Sequence, residues 1–470
     1  MHPVSRTRPM PSAQRDPEPV SLEPSRDPPK GAKAARLRAR LKNAGLWQPN
    51  QVAGRRWPMG CVSLEITQRC NLDCTLCYLS EHSEAVRDLP LQEIFRRIDM
   101  IYAHYGPGTD VQVSGGEPTL RRQDELVAIV RRIHSLDMRS SLFTNGIKAT
   151  RERLVELCGA GLTDVAFHVD TTQGRKGYSS EAELNRLREE YLERARGLAL
   201  GVFFNTTVHD ANLHEVAMLA SFFAAHADIV RTASFQMQAD TGRGVLGARG
   251  DAVSMPNVIE RLQAGLGARL AFDTFLFGHP RCNRYASALL INGKAYDAFF
   301  DPAFAVDFMR RTARIRIDRA TKRQSFESLV RAALGSPRLA LGAAWWIVRL
   351  LWRARRDLLH ARGRVEKVSF FLHDFMDACH VEGERLDACV FMAATSEGPM
   401  SMCAYNARRD AFLLKPLQFA EGSWDPLAGR SRGVGGNAPA ASYPIKWLKG
   451  RSRQEALLAR AVKTMTQDNS

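Results

Sequence analysis

"VSLEIT" (residues 62–67), "LQEIFRRIDMIYAHYG" (91–106) and "VQVSGG" (111–116) decide the fold. The first and third are short β-branched runs, and the second repeats its apolar residues at helical spacing. Strand, helix and strand in that order, with glycine at the turns, make a right-handed βαβ unit and a parallel sheet. The alternation continues through "SSLFTNG" (140–146), "RERLVELCGAG" (151–161), "DVAFHVD" (164–170), "EAELNRLREEYLERARGL" (181–198), "GVFFNTTV" (201–208), "NLHEVAMLASFFAAHA" (212–227) and "SFQMQ" (234–238). Six strands interleaved with helices suit a partial barrel or a doubly wound open sheet. Polar motifs close four successive strands, and chemistry in barrels collects on loops at the C-terminal strand ends. The expected fold is therefore α/β, a partial (β/α)6 TIM-like barrel.

The first of those loops is "CNLDCTLC" (70–77), which spaces Cys70, Cys74 and Cys77 as CxxxCxxC. Structural zinc takes four ligands, commonly from CxxC pairs. Disulfides come in even numbers and in secreted chains. An iron-sulfur cluster with one iron open to an outside ligand takes three thiolates; a zinc site completed by a distant residue stays open as the alternative. "GGEP" (115–118) ends the second strand, "TNG" (144–146) the third, and Asp170 the fourth. In isolation, GGEP reads as a turn. Cys61 and Cys158 lie in apolar patterns and read as buried structural thiols.

Apolar residues make up 45% of the 470 and charged residues 25%, the proportions of a globular protein with room for two or three domains. The first twenty residues hold arginines but no apolar signal segment, so a cytoplasmic chain with reduced thiols is expected. The formal charge of +16 is concentrated. Residues 1–56 carry twelve Lys or Arg against four acids, and residues 308–364 carry fifteen against three, which leaves the cysteine-bearing body slightly acidic. Eight prolines among the first thirty residues predict a disordered basic tail over 1–56.

The triad, the apolar Leu76 before its last cysteine, and "SGGEP" one βα unit later resemble the radical S-adenosylmethionine (SAM) superfamily. The resemblance implies a 4Fe-4S cluster on Cys70, Cys74 and Cys77, whose open iron chelates the amino and carboxylate groups of SAM. Reductive cleavage of the sulfonium would then yield a 5'-deoxyadenosyl radical. It further implies that Gly115 and Gly116 let the backbone approach the methionine moiety and that Glu117 receives its ammonium. Asn145, Asp170 and Asn205 would sit near the ribose or the substrate.

Beyond the barrel, "SFQMQADTGR" (234–243), "GHPRC" (278–282), "HDFMDAC" (373–379) and "MCAYN" (402–406) resemble a narrower subgroup that includes archaeal tetraether lipid synthase and the pterin methyltransferase of methanogens. That subgroup carries auxiliary metal sites. Cys282, Cys389 and Cys403 are the expected ligands of a second iron-sulfur cluster, with zinc as the lesser alternative. Cys379 is a fourth candidate, and His279 or His373 its substitute. The implied organisation is a radical SAM core over 57–240, an extension over 241–307, a basic helical insert over 308–364, a metal-site region over 365–420 and a tail over 421–470.

Within the insert, "LALGAAWWIVRLLWRARRDLLHARGR" (339–364) opens with ten residues free of polar side chains and ends in arginines. A spanning helix needs about 20 apolar residues, so this one is too short to cross. Trp345, Trp346 and Trp352, followed by Arg353, Arg355 and Arg356, read as an interfacial helix on anionic lipid; a packed helix with a solvated basic end, or one facing a partner protein, is the alternative. The expected activity is radical C–H activation, ending in C–C coupling or methylation of an apolar or lipid substrate, with a flavodoxin- or ferredoxin-type reductant and a peripheral seat on the inner face of the membrane. A pterin or tRNA substrate is the alternative enzyme reading, and an iron-sulfur electron-transfer protein the non-enzyme one. Nucleic acid is disfavoured, because the charge lies beside an apolar run instead of among stacking aromatics.

Overall fold

The computed structural model describes residues 33–432 apart from 245, 248, 314, 316–321 and 421. The six expected strands are β1 (Cys61–Thr67), β2 (Asp110–Gly115), β3 (Arg139–Thr144), β4 (Leu162–His168), β5 (Gly201–Val208) and β6 (Val230–Met237). They lie side by side in chain order, and every pair is parallel. A doubly wound sheet would reverse its order part-way. This one does not, which decides for the barrel.

Two later strands lengthen it. Strand order also includes β7 (Asn283–Ile291), β8 (Lys294–Asp297), β9 (Glu366–Asp374), β10 (Phe391–Thr395) and β11 (Gly398–Ser401). β9 joins β6 and β10 joins β1, both parallel, so eight parallel strands run from β10 round to β9. Antiparallel β11 flanks one end and the β7–β8 hairpin the other. The ends then meet without pairing: Phe391, the first residue of β10, lies 4.7 Å from the His373 ring and 6.1 Å from Phe371. Phe277 fills the junction, 5.2 Å from Phe371 and 6.2 Å from Phe391. The far end of β9 meets the near end of β10, because tilted strands step along the barrel axis as the sheet curls.

The period-two pleat divides each strand between two environments. Val62, Leu64 and Ile66, Val111 and Val113, and Val165 and Phe167 are sealed against the outer helices, among them Leu91–Tyr105, Gln123–Ser135 and Glu181–Ala195. Their neighbours point inward: Ser63, Gln112, Ser114, Ser141, Ser234 and Ser369 line a cavity of about 1730 Å³. Eight-stranded barrels usually fill their interior with branched aliphatic side chains. Small polar ones leave this barrel hollow.

Two tail expectations are corrected. Of residues 1–56, those from 33 are folded: Lys33–Asn43 is a helix, with Leu37 and Leu41 in the core, and Val52 N donates to Leu276 O at 2.9 Å. The prolines that suggested disorder precede residue 30, whereas the apolar residues that pay the entropy of ordering follow it. Residues 1–32 lie outside the described residues. At the other end, Leu417–Phe419 and Arg430–Arg432 both pair with Gly422–Asp425 in a small antiparallel sheet that buries Trp424, so the expected tail from 421 is structured as far as 432. The basic insert comprises helices Pro302–Arg311, Lys322–Leu334 and Pro337–His360 and begins six residues earlier than expected.

Candidate functional site

The loop carrying Cys70, Cys74 and Cys77 is tied to the ends of several strands. At the end of β2, Gly116 N donates to Thr67 O at 2.9 Å and Glu117 N to Arg69 O at 2.7 Å. Tyr78 Oη donates to Gly115 O at 2.7 Å, and Asn145 Nδ2, past β3, donates to Asn71 Oδ1 at 2.7 Å. Thr75 N donates to Thr172 O past β4 at 2.8 Å, and Arg243 N, past β6, to Leu79 O at 2.8 Å. The three thiols, Leu76, Gly115, Gly116, Asn145 and Asn205 all face the cavity.

Gly115 and Gly116 have a reason visible in the backbone. Gly115 has φ of 137°, and a Cβ on it would lie 2.1 Å from Thr67 O; a Cβ on Gly116 would lie 2.2 Å from Arg69 O. The pair is required for close packing against the chain entering the cysteine loop, a tighter constraint than the expected approach to a methionine moiety.

Glu117 departs from expectation. It is fully buried and is not part of the cavity wall. Its Oε1 accepts from Thr119 N at 3.0 Å, Thr119 Oγ1 at 2.5 Å and Thr144 Oγ1 at 2.7 Å, and its Oε2 accepts from Asn145 N at 2.7 Å. Buried and bonded to the β2 and β3 loops, it fixes Asn145 from behind the cavity wall. Asp170 is likewise sealed: Oδ1 accepts from Thr172 N at 3.1 Å, and Oδ2 from Thr207 N at 2.7 Å and His168 Nε2 at 2.6 Å. Burial pushes its carboxyl up, but His168, Thr172 and the Thr207 amide outweigh that and hold it well below the carboxylate range. The residue that reaches the cavity is His168, oriented by Asp170, with Asn205 Nδ2 donating to its Nδ1 at 3.3 Å. Sequence reading missed it; its signal was the polar residue at the inward position, two before Asp170.

Burial raises the Cys70 thiol. It raises that of Cys74 further, with the negative charges of Cys77, Asp170 and Cys70 adding to the effect. Mutual influence of this kind marks a thiol cluster that releases protons on taking up a cation. Among the described residues, no three His, Cys, Asp or Glu side chains surround one point closely enough to hold a single ion. A cubane puts its thiolates on separate iron corners instead of round one atom. The donor set, three thiols and no fourth, fits that group and is a poor fit to tetrahedral zinc.

A second thiol group lies at the seam. Cys282 immediately precedes β7, Cys389 stands two residues before β10, and Cys403 is on helix Met402–Ala407. Burial pushes the Cys403 thiol up to about 12, with Cys389 and Cys282 adding, and Cys282 is raised by burial and by Cys389. Arg385 Nε donates to Cys282 Sγ at 3.2 Å, which supplies the group with a cation. The thiols of Cys282 and Cys403 thus both feel the charge of Cys389. Cys379 is exposed, its Sγ 3.4 Å from His380 Nδ1, and sits outside the group. His279 contacts Glu384 at 3.4 Å, and His373 stacks between Phe371 and Phe375, where burial pushes its pKa down to about 3.

Comparison with known proteins agrees with the cysteine loop. Residues 64–223 match the Radical SAM superfamily. The chain is 28% identical over 188 residues to 7,8-dihydro-6-hydroxymethylpterin dimethyltransferase of Methanocaldococcus jannaschii, which covers 39% of this chain and 37% of that protein. To PqqA peptide cyclase of Bradyrhizobium diazoefficiens it is 31% identical over 160 residues, covering 33% and 40%. The chain thus spans about two-fifths of the length of these curated relatives. Among solved structures, methylornithine synthase is 15% identical at a TM-score of 0.34, covering 50% of this chain and 69% of that one.

Proposed function

We propose that the chain is an enzyme that cleaves SAM reductively and acts on an amphipathic substrate held in the barrel lumen. The observation that carries this reading is a trio of thiols, without a fourth, on a loop braced over the mouth of a hollow barrel. Cys70, Cys74 and Cys77 would hold a 4Fe-4S cluster, which would supply one-electron reduction of SAM, with the electron from a flavodoxin- or ferredoxin-type donor, breaking the S–C5' bond to leave methionine and a 5'-deoxyadenosyl radical. Asn145 and Asn205 line the cavity, and His168, held between Asp170 and Asn205, lines it beside them.

The lumen has two kinds of wall. Ser63, Gln112, Ser141 and Ser234 offer hydroxyls and amides along the barrel strands, whereas Phe277, Phe304, Phe371 and Trp346 form an aromatic side toward the seam and the insert. A molecule with a polar head and an apolar body satisfies both. This supports the narrower likeness to the tetraether lipid synthase subgroup. The pterin dimethyltransferase similarity favours a pterin as the second reading. Cys282, Cys389 and Cys403 would hold an auxiliary iron-sulfur cluster, with Arg385 offsetting its charge.

The test is anaerobic reconstitution followed by iron content and 5'-deoxyadenosine yield. Cys74→Ala is expected to abolish the yield and remove one cluster. Triple replacement of Cys282, Cys389 and Cys403 by alanine is expected to halve the iron while SAM cleavage persists. Undiminished cleavage by Cys74→Ala refutes the reading.

A further inference from the structure

Helix Pro337–His360 is apolar on two sides. Inward, Leu339 and Ala354 are buried, while Ala343 and Trp346 line the cavity, Trp346 stacking on Phe300 at 5.3 Å. Asp357 locks this orientation by accepting from Tyr296 Oη at 2.6 Å and Asn292 Nδ2 at 3.1 Å and pairing with Lys294. Outward, Leu341, Trp345, Val348, Trp352 and Leu359 recur at steps of four, three, four and seven and form one stripe. Leu341 is 72% exposed, Trp345 60%, Trp352 68% and Leu359 79%, and Leu334 of the preceding helix continues the surface at 80%. Such a contiguous patch is costly in water and marks an interaction site.

Charge selects the partner. The helix carries five arginines and one acid, the buried Asp357. Arg349 and Arg353 turn inward over Phe300, 5.2 and 4.6 Å from its ring. Arg338, Arg355 and Arg356 are exposed three or four residues from members of the stripe, and Arg355 lies 5.3 Å from the Trp352 ring. A second copy of this face would set arginine against arginine. An anionic lipid surface takes indoles at headgroup depth and guanidiniums among its phosphates. Among the described residues, no helix is long and apolar enough to cross.

We propose that the outer face of helix Pro337–His360 docks in plane on an anionic phospholipid bilayer, which sets the aromatic side of the lumen one helix thickness from the lipid. The docking stands independently of the cysteine reading, because it rests on the insert alone.

The test floats the full chain with vesicles of phosphatidylcholine, with and without phosphatidylglycerol. Wild type is expected to float with the anionic vesicles, less so as salt rises, with a blue shift of its indole fluorescence. Combined Leu341→Gln, Trp345→Gln and Trp352→Gln replacement, all at exposed positions away from the cavity wall, is expected to lower partitioning by about 10²-fold or more. Arg355→Glu with Arg356→Glu is expected to lower it by about tenfold or more. SAM cleavage in both variants stays at the wild-type rate, so loss of docking and loss of the radical reading are told apart. The proposal is overturned if wild type stays with the unbound fraction, or if the glutamine variant dissociates a wild-type dimer that never floated, which would give the face to a second copy.

Discussion

Replacing Glu117 with glutamine separates the two roles open to that residue. Its carboxylate accepts four hydrogen bonds inside the protein, three on Oε1 and one on Oε2. A glutamine amide placed at Oε1 would face the Thr119 N–H and two hydroxyls. Placed at Oε2 it faces a single donor, the Asn145 N–H, at 2.7 Å, and that is the cheaper orientation. One buried amide is then orphaned at about 1–3 kcal/mol, and the three remaining bonds lose the strengthening of a charged acceptor. The sum is about 2–4 kcal/mol of stability, equivalent to a fall in melting temperature of about 2–5 °C for a chain of this size. Thermal unfolding of SAM-free protein measures it directly. Because Asn145 is fixed by the same carboxylate, SAM affinity is also expected to weaken, in step with the loss of stability. An unchanged melting temperature with a large loss of SAM affinity would refute the argument and return Glu117 to direct contact with the ammonium.

Gly116→Ala puts a methyl 2.2 Å from the Arg69 carbonyl; neither partner is a flexible side-chain end, so the cysteine loop must shift, and iron bound per chain after reconstitution is expected to fall. For Glu65, burial raises the carboxyl, but Arg409 at 2.5 Å, Gln68 and Tyr405 outweigh it and lower the pKa. A folded pKa below the unfolded one stabilises above the unfolded value, near 4.5, and the benefit is lost as pH falls through the folded value. Denaturant titrations across that acidic window are expected to show a shallower fall in stability for Glu65→Gln than for wild type.

The six-strand core was legible because short β-branched and aromatic runs interleave one by one with helical segments along the chain. β5 coincides with the run "GVFFNTTV". β9 and β10 were harder to find. "EKVSFFLHD" and "FMAAT" read as strands, but their partners β6 and β1 lie more than a hundred and more than three hundred residues back, and local periodicity holds no register across such gaps. The triad Cys70, Cys74 and Cys77 was legible by its spacing, whereas Cys282, Cys389 and Cys403 are widely spaced and rest on a resemblance; the thiols of Cys282 and Cys403 both feel the charge of Cys389. Cys379 shared their chemistry but fell on an exposed loop. The surroundings of the two acids were not legible, for a common reason. Sequence gives the residue type at a strand end but not which neighbours hydrogen-bond it, so the bonds of Glu117 to Thr119 and Thr144 and of Asp170 to Thr172 and His168 appear only in the fold.

The ring-lined junction between β9 and β10 gives the wall one line of easy give. Prising β3 from β4 would break a ladder of backbone bonds along five paired residues, whereas parting β9 from β10 costs aromatic contacts of about 0.5–1.5 kcal/mol each. Any change of girth needed for a bulky guest falls on that line. The thiols Cys282, Cys389 and Cys403 flank it, so a metal group seated there would act as a clasp on the circumference.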